Sequence, residues 1–178
     1  MKTYIASPFF NKSQVEVIES IMSQLSPHTE IYSPMVDGTK LTSFASDKVY
    51  KNTYLGDLGG VMDADVVFGV LDYDDINFNY NTKLDETPMP ITDRVFHGFD
   101  SGTIWELGVA KGLGKKILLY IPPNVKLNVM LCYNAEGYTT NLKKCEELFY
   151  RLIVRNEKFI KEDFVNEVIK EDKGFRYK

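Results

Sequence analysis

The chain has 178 residues, 44% hydrophobic and 26% charged, with a formal charge of −4 at neutral pH. These values fit one soluble globular domain large enough to bury a core, and the dispersed basic residues argue against a nucleic-acid partner. Cys132 and Cys145 make no disulfide framework, and neither they nor the widely separated His28 and His97 have the spacing of a metal site.

The N-terminus, MKTYIASPFFNKSQ, turns polar too soon for a signal peptide. No apolar run approaches the ~18 residues of a membrane span, so a cytosolic protein with reduced cysteines is expected. Lys2–Ser7 is strand-like and is stopped by Pro8. Lys12–Leu25 then carries Val15, Ile18, Ile21, Met22 and Leu25 at helical spacing. A strand followed at once by a helix opens an α/β fold, and the connecting loop lies where such sheets place ligands. Phe9 and Phe10 in that loop suit either core packing or the walls of a site for a flat heterocycle.

Glu30–Ser33 reads as a second strand, and the irregular Pro34–Ala45, with Gly38, as a loop over a site. Ser46-Asp47 starts a helix whose stripe is Val49, Tyr50, Tyr54, Leu58, Val61 and Met62. Asp57 lies inside this helix beside Gly56 and just before Gly59-Gly60. Helical glycines at roughly 1 kcal/mol each relative to Ala point to close packing or ligand approach. Asp57 itself is either a solvated acid or one turned to a site. Val66–Leu71 is a continuous apolar run of the kind found in central parallel strands. Asp72, Asp74 and Asp75 follow it, without the glycine spacing of a calcium loop.

Asp72–Phe99 is rich in Asp, Asn and Tyr and contains Pro88 and Pro90, with no helical period. A loop of ~25 residues in a compact domain is expected to be functional, here a lid or a specificity insert. Phe99–Gly114 reads FDSGTIWELGVAKGLG. Ser101, Gly102 and Thr103 suit a tight turn into a helix start, and Gly112 and Gly114 end a mostly apolar helix. Glu106 sits on its first turns, where a charged side chain is expensive unless something uses it. Two readings stand: a solvated acid on the exposed side, or a carboxylate nucleophile kept ionised by the helix N-terminus.

Lys116–Ile121 is another buried strand, stopped by Pro122-Pro123, and Asn141–Val154 has one apolar face and reads as a closing helix. The domain is expected to span residues 1–153, with 72–99 as an insert and 154–178 as an amphipathic extension.

The acid, glycine-containing turn and glutamate of Asp100–Gly108 resemble the signature of the nucleoside 2-deoxyribosyltransferases. Further matches at Lys2–Phe10, Asp57–Leu71 and Leu127–Leu131 follow in the right order. The resemblance implies a flavodoxin-like, doubly wound parallel sheet with helices on both faces. It implies base exchange on 2′-deoxyribonucleosides through a deoxyribosyl–enzyme ester, with Glu106 as nucleophile, Tyr4 holding it, Asp100 as proton donor and Asp57 in support. Phe9 and Phe10 would line the base pocket. Asn128 and Met130, in a segment that reaches a neighbouring subunit's site, would contact base and sugar. No cofactor is implied, and a homo-oligomer is. The alternatives are a 2′-deoxynucleoside 5′-monophosphate N-glycosidase, disfavoured by a first loop without Arg or Gly and by the acid at position 100, and a non-catalytic nucleotide-binding module.

Overall fold

A computed structural model describes residues 1–38, 46–72, 99–123 and 129–158. Asp74, Asp75, Asn128, most of the 72–99 insert, the end of the Pro34–Ala45 loop and the last part of the C-terminal extension lie outside the described residues.

Five strands form one sheet: β1 (Lys2–Ala6), β2 (Glu30–Tyr32), β3 (Val66–Val70), β4 (Lys116–Tyr120) and β5 (Gly137–Thr139). Every pairing is parallel and the spatial order is β2-β1-β3-β4-β5. This is the α/β fold expected from the strand–helix alternation, in the doubly wound, flavodoxin-like arrangement that the family resemblance implied. Six α-helices are described: α1 (Lys12–Leu25), α2 (Pro34–Asp37), α3 (Asp47–Asp63), α4 (Ser101–Gly112), α5 (Val129–Asn134) and α6 (Cys145–Phe149). Among the described residues, no helix is long and apolar enough to cross a membrane.

The pleat sorts the strand side chains into two cores. Tyr4, Ala6, Val67, Ile117 and Leu119 pack with Val61 and Ala64 beside α3 and with Leu107 and Ala110 of α4. Ile5, Val66, Phe68, Val70 and Leu118 face the other way, onto Ile18, Ile21 and Leu25 of α1 and Cys145, Leu148 and Phe149 of α6. Burial pushes the Cys145 thiol up to about 12, so it serves as a small apolar filler rather than a reactive group.

The winding reverses between β1 and β3, because β1 leads outward to β2 while β3 lies on its other side. Open α/β sheets bind ligands in the crevice at that reversal, beyond the carboxyl ends of the strands. Three local differences from expectation appear. Pro34–Asp37 forms a helical turn within the segment read as irregular, with Pro34 at a helix start where its missing N–H costs nothing. Gly137–Thr139 is an edge strand too short to carry an alternation signal. The closing helix begins as a 3₁₀ turn over Leu142–Lys144 and ends as a π-turn over Tyr150–Val154.

Candidate active site

Tyr4 is the third residue of β1 and is fully buried under α3 and α4. Its hydroxyl donates a 2.6 Å hydrogen bond to Oε1 of Glu106, which is itself only 8% exposed. Residues 102 apart in sequence are thus joined by a short bond inside a wall of apolar side chains. The acid on the apolar helix faces inward, which removes the solvated reading of Glu106.

The electrostatics differ from the expectation that the helix N-terminus keeps Glu106 ionised. Its carboxyl is pushed up to about 8 from an ordinary 4.5, chiefly by burial. The hydrogen bond from Tyr4 works in the opposite direction, while the charges of Asp57 and Asp100 add to the rise. The physical reason lies in position: α4 begins at Ser101, so Glu106 lies beyond the first turn, where the helix dipole has its effect. Tyr4 is raised well above the phenol range by burial and by Glu106, so it remains a hydrogen-bond donor.

Asp57, on α3, is half-buried, and its carboxyl is raised by burial. Its charge acts on both Tyr4 and Glu106, so the structure gathers it with them. Asp100 caps α4: its Oδ2 accepts from the backbone N–H and from the hydroxyl of Thr103, each at 2.7 Å. Satisfying those helix-start donors is the ordinary work of an N-cap aspartate. Asp100 also acts electrostatically on Glu106.

Phe9 and Phe10 follow β1 at the carboxyl end and stack on each other, with ring centroids 5.7 Å apart and planes at 24°. They are 39% and 59% exposed, so neither is a core residue. The loop beneath them is held by Gln14, which sequence reasoning passed over. Gln14 is buried in the first turn of α1; its Oε1 accepts from the Phe10 backbone N–H at 2.9 Å, and its own N–H donates to the Asn11 side chain at 2.9 Å. Asn followed three residues on by Gln, just ahead of an apolar stripe, is the capping-box signal that marks it. Gln14→Ala is expected to free this loop, since it leaves the Phe10 N–H without its acceptor, and to lower stability by about 1–2 kcal/mol; thermal unfolding checks it.

Met130 is placed elsewhere within the chain. It is 68% exposed on α5, at the rim of an apolar cavity of about 400 Å³ lined by Phe99, Ile104, Leu107, Ile117 and Leu119. None of Tyr4, Asp57, Asp100 or Glu106 lines that cavity. Among the described residues, no group of three or more His, Cys, Asp or Glu side chains is placed to hold a metal ion.

The family model for nucleoside 2-deoxyribosyltransferases matches residues 3–143. A solved 2-deoxyribosyltransferase from Bacillus psychrosaccharolyticus is 26% identical, with 82% of this chain and 90% of that one covered and a TM-score of 0.61. A CMP N-glycosidase from Clostridium botulinum shares the fold at 14% identity, with 85% of this chain and 100% of that one covered and a TM-score of 0.50. No curated protein matches the chain.

Proposed function

This chain belongs to the nucleoside 2-deoxyribosyltransferase family, and from that premise we propose that it exchanges the base of 2′-deoxyribonucleosides through a covalent ester on Glu106. The family is enzymatic and acts on small nucleoside substrates. The observation that carries the finer reading is the buried Tyr4–Glu106 pair with Asp57 and Asp100 bearing on it.

In the first step an Oε of ionised Glu106 bonds to C1′ as the C1′–N bond breaks, and its electron pair leaves with the base, which takes a proton. In the second step a nitrogen of an incoming base attacks C1′ and gives its proton back to the carboxylate that protonated the first base, the ester bond breaks, and Glu106 regains its carboxylate. Two inversions give net retention, as in retaining glycosidases with a base in place of water. The Tyr4 hydroxyl orients the nucleophile and lowers its proton affinity.

For the departing base we assign the proton to Asp57. Asp100 has Oδ2 committed to two hydrogen bonds from Thr103, whereas burial raises the Asp57 carboxyl, as a proton donor requires. This exchanges the two acids' roles relative to the family resemblance. Phe9 and Phe10 provide stacking surface for the base. Asn128 and Met130 are read as contributions to a partner's site in a cytosolic homo-oligomer.

The test is incubation with 2′-deoxyinosine and free cytosine, followed by chromatography. Formation of 2′-deoxycytidine supports the proposal. Hypoxanthine and deoxyribose with no new nucleoside would make the protein an N-glycosidase instead.

A further inference from the structure

We infer that Tyr32 and Gly60 clamp the ring of Tyr4 in the plane from which its hydroxyl reaches Glu106, which makes both of them positioning residues. The inference rests on the reading of Glu106 as nucleophile, but its primary test uses no turnover.

Tyr4 and Tyr32 are direct partners across the parallel β1–β2 pairing. Their rings stack with centroids 5.6 Å apart and planes at 14°. Gly60 of α3 closes against the same pair. A Cβ there would lie 2.8 Å from Cε2 and 2.9 Å from Cδ2 of Tyr4, and 2.9 Å from Cε1 of Tyr32. Such distances are well inside carbon–carbon contact, so only a residue without a side chain lets α3 lie on both rings. The Tyr4 ring is therefore confined by Tyr32 and by the α3 backbone.

Confinement matters because the hydroxyl is at the far end of the ring from the backbone, so a small tilt becomes a larger displacement there. A 2.6 Å hydrogen bond is at the short end of the range and weakens quickly when its geometry is lost. Alanine at position 60 would improve helix propensity by about 1 kcal/mol, so on local grounds glycine is the poorer choice. The groups acting on Glu106 are Tyr4 from β1, Asp57 from α3 and Asp100 at the start of its own helix. Tyr32 on β2 feels both Asp57 and Glu106. Of these, only the Tyr4 hydrogen bond favours the ionised carboxylate, so a displaced ring leaves Glu106 harder to ionise.

The experiment follows the ¹³C shift of the Glu106 side-chain carboxyl against pH in the full chain, assigned by the resonance missing from Glu106→Gln. Tyr4→Phe is expected to move the titration upward by about 1–2 pH units, the equivalent of a hydrogen bond to a charged group. Tyr32→Leu and Gly60→Ala are each expected to move it upward by roughly half that, while Tyr32→Phe, which keeps the ring, titrates like the wild type. In turnover, the Leu and Ala variants are expected to lose kcat about three- to tenfold at neutral pH with KM changed less than twofold. Wild-type titrations in both Tyr32→Leu and Gly60→Ala would overturn the clamp, even if both variants were less stable, since packing alone lowers Tm without moving a titration. Absence of any new nucleoside from the wild-type protein would instead overturn the function reading, leaving the titration result to stand on its own.

Discussion

Glu106→Gln is expected to abolish transfer while making the folded protein more stable at alkaline pH. The carboxyl is pushed up to about 8 in the folded chain from an ordinary 4.5, mainly by burial. A carboxyl raised on folding carries no penalty below its unfolded value, where both states hold the proton. As pH rises past that value the unfolded chain releases its proton and gains stability that the folded chain does not. The penalty grows until about pH 8 and is constant above it, at on the order of 5 kcal/mol. Glutamine keeps an oxygen for the Tyr4 hydroxyl and removes the titration, though its amide must itself find a partner. The variant is therefore expected to unfold roughly 5–10 °C higher than the wild type near pH 8.5, with the difference fading toward pH 4.5. Thermal unfolding across pH measures this. An equal or lower Tm at alkaline pH would mean that burial does not oppose ionisation here, and surviving transfer would remove Glu106 from the chemistry.

The second large effect concerns the two aspartates. Asp57→Asn is expected to lower kcat with 2′-deoxyinosine by about 10²–10³-fold, the usual contribution of a positioned general acid. Asp100→Asn is expected to lose less than about tenfold, because asparagine is an equally good N-cap and keeps the bond to the Thr103 N–H. A 7-methyl-2′-deoxyguanosine donor, whose base leaves neutral without a proton, should restore much of the rate to Asp57→Asn. If Asp100→Asn shows the larger loss, with rescue by the methylated donor, the proton belongs to Asp100.

Much of this architecture was legible in the residues. Four of the strands and helices α1, α3 and α4 follow from apolar runs, helical stripes and the punctuation of Pro8, Ser46 and Pro122. Gly114, whose φ of 70° lies in the left-handed region, ends the α4 turn as its glycine suggested. The edge strand β5 was not legible, because three residues Gly-Tyr-Thr carry no period. Nor was the split of the closing helix, since 3₁₀, α and π turns share one broad apolar face.

At the site, the position of Glu106 on its helix was readable, but its burial was not. That burial is made by β1 and α3, distant in sequence, and outweighs a dipole effect that fades within one turn. Glycine at position 60 was recognisable as a close-packing signal, whereas the two rings that meet it are a property of the assembled sheet.

The raised carboxyl also bears on what the empty enzyme selects. Between about pH 5 and 8 Glu106 is a neutral acid, so under the proposed function an uncharged nucleoside would meet no anion at that residue. A ligand that carries positive charge at the sugar, like the oxocarbenium character of the reaction's midpoint, prefers the ionised form and must displace that proton. Its apparent affinity should fall up to tenfold per unit below pH 8, and its binding heat should vary with the ionisation enthalpy of the buffer, while a neutral nucleoside shows neither effect. Discrimination between ground state and transition state is then partly a matter of one hydrogen ion returned to the solvent.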